Sequence, residues 1–226
     1  MLTDFISLLF PITCASCGKS LFKNEENICT YCIYHLPKTN FHLQEDNMVS
    51  KFFWGRVAIH SAAAFLEFNK GGNVQKLIYA LKYNGQKNMG ITLGKLYGHE
   101  LKEQATFNTI DTIVPVPLHA KKEKVRGYNQ SLYFAMGLAQ SMNVPINNNS
   151  LQRVLISDTQ TKKSRFNRWK NVESVFEIKE PNGLKGQHIL LVDDVVTTGA
   201  TLEACAHTLL QIPFVKISIV TIAFRP

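Results

Sequence analysis

Two adjacent acids, Asp193 and Asp194, follow the apolar run His188 to Val192 and precede Val195-Val196-Thr197-Thr198-Gly199-Ala200-Thr201. Beyond them Leu202, Cys205, Ala206 and Leu209 recur at helical spacing, so the pattern predicts a buried strand, a turn of small residues and an amphipathic helix. Backbone N–H groups from Val196 to Thr201 would stand free at the helix start, where the positive end of the helix dipole favours a dianion. Gly199 lets that backbone approach closely, and the hydroxyls of Thr197, Thr198 and Thr201 add donors. Carboxylates beside a phosphate repel it unless they face something else, and an ionised Asp accepts hydrogen bonds from vicinal hydroxyls. A phosphate flanked by a diol is a ribose 5-phosphate.

A second constellation is Cys14-x2-Cys17 with Cys29-x2-Cys32, the two pairs being eleven residues apart. Each pair presents two thiolates from one turn, and two such knuckles face to face give the tetrahedral sulfur set that suits Zn²⁺. Four protein thiolates leave no coordination position for water, which makes the expected metal structural. Two disulfides are the competing arrangement and belong to an oxidising compartment. The start MLTDFISLLFPITC carries Asp4 and lacks a basic leader and a small-residue cleavage pattern, so export is not expected and the location is expected to be cytoplasmic. Leu2, Phe5, Ile6 and Leu9 instead predict a short amphipathic helix on the body of the protein. His35 and His42 read as surface residues and Cys205 as inert core.

These residues need a scaffold, and 226 residues allow one substantial core plus a small appendage. Residues 1–45 read as a helix and zinc ribbon, Thr39 to Ser50 as a polar linker, and 51–226 as an α/β domain. Val57 to Phe68 reads as strand or hairpin, Val74 to Leu81 and Met89 to Gln104 as helices, and Asp111 to Val116 as a short buried strand. A helix through Leu132, Ala135, Leu138 and Met142 follows, and Lys216 to Phe224 reads as the last strand. Strands alternating with helices predict a Rossmann-like parallel sheet with crossover helices. No stretch approaches the roughly 20 apolar residues of a membrane span. The formal net charge of +8 favours anionic partners and is concentrated in Lys121–Arg126 and Lys162–Lys170.

The stretch Val192 to Thr201 resembles the signature by which type I phosphoribosyltransferases bind phosphoribosyl pyrophosphate (PRPP). The likeness widens to the whole chain. Cys14 to Cys32, Leu81-Lys82-Tyr83-Asn84-Gly85, Val114 to Leu118, Arg126-Gly127-Tyr128-Asn129-Gln130, and Arg153, Gln160, Arg165, Arg168, Asn171 and Phe176 together resemble the ComF family. The chain departs from that pattern at Ser157, Asp158 and Lys163, where Thr, Pro and Leu are more typical.

The loop after Val116 should neighbour the loop after Val192, because α/β sites form outside the strand carboxyl ends. The resemblance implies that Pro117, Leu118, His119, Lys121, Arg126, Asn129 and Gln130 form a pyrophosphate loop working with Mg²⁺. It likewise implies a flexible loop with Gln160, Lys163, Arg165 and Arg168 closing over the site. Two functions remain open. One is glycosyltransferase chemistry, moving ribose 5-phosphate from PRPP to an unidentified base or amine. The other is PRPP binding within DNA uptake for natural transformation, with single-stranded DNA and a helicase-like competence protein as partners. Lys162 to Trp169 combines cations and aromatics that suit single-stranded nucleic acid, or forms a solvated loop with Trp169 packed inward.

Overall fold

The structure is a computed structural model that describes residues 11–154 and 175–226. The helix expected over Leu2 to Leu9 and the run holding Gln160, Lys163, Arg165 and Arg168 fall outside these residues.

Four strands, β1 (Ser61–Glu67), β2 (Thr112–Pro115), β5 (His188–Val196) and β6 (Lys216–Phe224), form one sheet in the order β1-β6-β5-β2. Every pairing in it is parallel. A short antiparallel pair, β3 (Leu151–Arg153) with β4 (Phe176–Ile178), stands apart. The helices are α1 (Thr30–Tyr34), α2 (Asn73–Tyr83), α3 (Asn88–Leu101), α4 (Ala120–Arg126), α5 (Gln130–Met142) and α6 (Ala200–Leu209).

β5 and β6 lack alternation because both sheet faces are covered. Leu190, Val192, Val220 and Ile222 pack on one face against α2, α3 and α5. Ile189, Leu191, Ile217 and Ile219 pack on the other against α6 and the segment from Val49 to Val57. A core side chain such as Leu93, Phe134 or Leu191, each fully buried, contributes about 1.5–3 kcal/mol by leaving water. α3 and α5 cross at backbone contact. A Cβ on Gly137 would lie 2.2 Å from the Ile91 carbonyl oxygen, and one on Gly94 would lie 2.3 Å from that of Phe134. This crossing fixes the start of α5 beside the end of β5.

Four local features differ from the sequence reading. Residues 57–68 form no hairpin: Ser61–Glu67 is a single strand whose partner is β6. Thr39 to Ser50 is not a free linker. Asn47, almost fully buried, donates to the carbonyls of Phe41, Gln44 and Ala62 and accepts from the N–H groups of Val49 and Ser50, so its polarity is spent inside the protein. The basic run Ala120–Arg126 is helical, although no residue in it is buried. β5 continues through both acids to Val196, with Asp193 in register with Thr221.

The cysteine segment docks on the main body. Cys14, Ile28, Cys29, Cys32 and Leu36 join the same apolar cluster as α3 and the sheet, and Asn27 Nδ2 donates to Thr92 Oγ1 at 3.1 Å.

Candidate functional site

β5 carries the two acids to the carboxyl edge of the sheet, where three elements converge. Ser131 Oγ, in the first turn of α5, donates to Asp193 Oδ1 at 2.8 Å, and the Asp194 N–H donates to the same oxygen at 2.8 Å. Lys82 Nζ, in the last turn of α2, lies 2.9 Å from Asp194 Oδ2. Burial, reinforced by the charge of Asp194, raises the Asp193 carboxyl to about 7, so its proton is exchangeable near neutral pH. A buried carboxyl pair raised in this way marks a candidate binding site.

The loop beyond the acids is built to leave donors open. Among the described residues, the N–H groups of Thr197, Thr198 and Gly199 have no hydrogen-bond partner, and that of Ala200 reaches only Thr198 Oγ1 at 3.4 Å. The first turn of α6 adds N–H groups that no helix can satisfy internally. Gly199 caps α6 at φ +75°, a left-handed conformation that disfavours other residues. Its Cα side faces Phe53, which a Cβ would approach to 3.3 Å. Asp193, Val195 to Leu202 and the loop backbone enclose a small cavity of about 50 Å³.

Arg56 holds this loop from behind. Its Nη1 donates to the carbonyls of Thr198 at 3.2 Å and Phe52 at 3.0 Å, while Nη2 pairs with Glu203 on α6. The Thr198 carbonyl is thereby held by Arg56. Nothing in the sequence pointed to Arg56, which bonds a residue 142 positions away.

The loop after β2 lies alongside, as the sheet rule requires: the Val116 N–H donates to the Val192 carbonyl at 2.8 Å. Its residues divide into two groups. Lys121, Lys122 and Lys124 are exposed on α4, with Pro117, Leu118 and His119 half-buried before them. Asn129 and Gln130, which the sequence offered as donors to a ligand, are buried and turned into the protein. Asn129 Nδ2 donates to the Val116 carbonyl at 3.0 Å and its Oδ1 caps α5 at Ser131. Gln130 Oε1 accepts from Arg126 Nη1 at 2.6 Å. Arg126 also lies over the Tyr83 ring at 5.5 Å, and Tyr128 Oη donates to the Leu81 carbonyl. The segments Leu81 to Gly85 and Arg126 to Gln130 are thus one interlocked unit beside the acids.

The four cysteines converge too. Their Sγ atoms all lie within 4.8 Å of one another, and Cys17 and Cys29 are 3.8 Å apart. A tetrahedral S4 site with Zn–S near 2.3 Å has edges of about 3.8 Å, so the set can hold such an ion. Cys14, although buried, is drawn down to about 7 by backbone N–H groups of Cys17, Cys29 and Ser16, whereas burial pushes Cys32 up to about 12. His35 is exposed; His42 is not the surface residue expected, its side chain packing against Tyr97 with Nε2 3.7 Å from Glu100. Cys205 is fully buried, as read.

The carboxyl edge of the parallel sheet thus brings together an acid pair and a donor-rich loop. The family model for the phosphoribosyl transferase domain matches residues 128–226. Relatives extend the likeness toward the N-terminus. The chain is 27% identical over 202 residues, 88% of its length, to the DNA utilization protein YhgH of Escherichia coli (strain K12), covering 84% of that protein. It is 30% identical over 138 residues, 60% of each chain, to the protein of the same name from Salmonella typhimurium. To the competence protein ComFC of Bacillus subtilis it is 36% identical over 99 residues, 44% of this chain and 38% of that one. The chain is thus similar to DNA utilization and competence proteins, and residues 128–226 to the phosphoribosyl transferase domain.

Proposed function

We propose that the protein binds PRPP at the carboxyl edge of β5 and β2 and serves in the handling of single-stranded DNA during uptake. The observation that carries this reading is the row of N–H groups at Thr197, Thr198 and Gly199, without a partner among the described residues, beside the acid pair. The 5-phosphate would seat on those groups and on the Thr197, Thr198 and Thr201 hydroxyls, and the ribose diol would face Asp193 and Asp194. The diphosphate would lie toward Lys121 and Arg126. Among the described residues no cluster of three carboxylates could cage an ion, so Mg²⁺ would arrive on the diphosphate, which is its usual mode beside one or two carboxylates. When bound, Mg²⁺ would neutralise charge on a departing pyrophosphate.

The DNA-handling role draws on the names of the relatives, a DNA utilization protein and a competence protein. A cytoplasmic site of action fits it, and no described helix is long and apolar enough to cross a membrane. Zn²⁺ on the four thiolates would serve as a staple for the cysteine segment, residues 1–45 forming the ribbon module and 51–226 the phosphoribosyltransferase-like domain. Stoichiometric zinc, released by a chelator with a fall in melting temperature, is the expected result; a metal-free protein of equal stability would remove the assignment.

Calorimetric titration with PRPP and Mg²⁺ tests the ligand. Absence of binding, or equal binding of ribose 5-phosphate without the diphosphate, would sink the reading. The second reading, active transfer of ribose 5-phosphate to a base or amine, is favoured by Asp193 holding a proton near neutrality. Pyrophosphate release across a panel of nucleobases and amines separates the two.

A further inference from the structure

The face of α2 that points to solvent carries chemistry that the PRPP site does not use. Tyr79 and Tyr83 are 56% and 62% exposed, with ring centroids 4.8 Å apart and planes inclined by 44°, so neither ring seals the other. Lys76 lies one turn before Tyr79 on the same face, and Arg126 sits over Tyr83 at 5.5 Å. Lys87, just past the helix, stands 5.6 Å from the Tyr133 ring. Between this face and the Cys17 knuckle runs an open cavity of about 640 Å³, whose walls include Gln75, Lys76, Tyr79 and Asn84 and, among the described residues, no acidic residue. The other large cavities contrast with it. The one beside Trp54, about 770 Å³, carries Glu45 and Asp46, and the one beside α3, about 490 Å³, carries Glu25 and Glu26.

From this we infer that the Tyr79–Tyr83 face of α2, with Lys76 and Lys87 at its ends, is a docking surface for single-stranded nucleic acid, bases stacking on the tyrosines and phosphates meeting the cations. Exposed aromatic rings stack on any unpaired base, and interleaved cations neutralise the backbone. A duplex hides its base faces and would gain only the charge term. The surface deepens the DNA-handling part of the proposed function and rests on that reading for the biological strand. Its aromatics and the lack of acids in its cavity select a polynucleotide independently. Lys82, adjacent to Tyr83, pairs with Asp194, so a bound strand would run toward the mouth of the PRPP site.

Fluorescence anisotropy with a labelled oligo(dT) strand, a duplex of equal length and a range of salt concentrations tests it. The strand should bind about tenfold or more tightly than the duplex, and Tyr79→Ala/Tyr83→Ala should lose about tenfold or more. Tyr79→Phe/Tyr83→Phe should restore binding, since the ring and not the hydroxyl does the stacking. Lys76→Gln should weaken binding and flatten its salt dependence. No binding by the unaltered protein, equal affinity for duplex, or an alanine pair that binds like the unaltered protein overturns the surface. The PRPP-induced melting shift, measured on the single variants Tyr79→Ala and Lys76→Gln, should not change. Strand binding through the tyrosines without any PRPP shift would keep this surface and defeat the sugar-phosphate reading, and the converse result would do the reverse.

Discussion

At the amino end of β5, His188 has both ring nitrogens engaged, by Thr109 Oγ1 at 2.9 Å and Ser218 Oγ at 2.8 Å, and its N–H donates to Asp111 Oδ2 at 2.7 Å. At the carboxyl end of the same strand the polar groups are left unfinished: a carboxyl raised to about 7 and N–H groups without partners among the described residues. Burial, with the charges of Lys216 and His60, brings His188 down to about 4. Its neutral ring is an internal strut. The two ends use similar residue types, and what separates them is whether the hydrogen bonds close within the protein. Closed bonding stabilises the fold, and open bonding leaves room for a ligand.

Replacing Asp193→Asn/Asp194→Asn should break the open end with the largest effect. PRPP with Mg²⁺ at 100 times its Kd should stabilise the unaltered protein by about 2.7 kcal/mol, a shift the variant should lose in thermal melts. The ligand-free variant should also report the sign of the Asp193 shift. A carboxyl raised in the folded state holds its proton from about pH 4 to 7 while the unfolded chain has released it, so stability falls as pH rises through that window. His188, lowered in the folded state, contributes the opposite slope between about pH 4 and 6.5. The difference between unaltered protein and Asp193→Asn isolates the first slope, and no difference across the window would refute it.

At the closed end, His188→Ala should cost about 2 kcal/mol in denaturant unfolding, by removing the ring's bonds to Thr109 and Ser218, yet leave the PRPP shift intact. Loss of ligand binding there would erase the contrast. Gly199→Ala should cost about 1–2 kcal/mol from its positive φ and also weaken PRPP. Arg56→Gln, which frees the Thr198 carbonyl, should have the smallest effect on unfolding, about 0.5–1.5 kcal/mol, measurable alongside a weaker PRPP titration.

Legibility in the sequence followed the same division. The apolar β5 run, the acids and the small-residue loop are contiguous, so local pattern sufficed for strand, turn and helix. The cysteine spacing was equally local, and the four sulfurs meet. Arg56 and Ser131 escaped because their partners are 142 and 62 residues away and neither residue type is unusual in its own segment. Helix α4 escaped because Ala120–Arg126 has no buried face, leaving charge as its only pattern. Asn47 shows the limit from the other side: a polar residue looks like linker until its partners are known.

The strand order β1-β6-β5-β2 has a consequence for how the chain comes together. Within the described residues β1 touches the sheet only through β6, and Ser61 meets Ser218 across 157 residues. A nascent chain emerging from the ribosome therefore cannot close its sheet until β6 has been made. Arg225, just past β6, donates its N–H to the Val196 carbonyl, so the floor of the anion loop is itself among the last parts to be fastened. Such distant closure is slow, and until it happens the apolar edges of β1 and β5 lie open to chaperones or to one another.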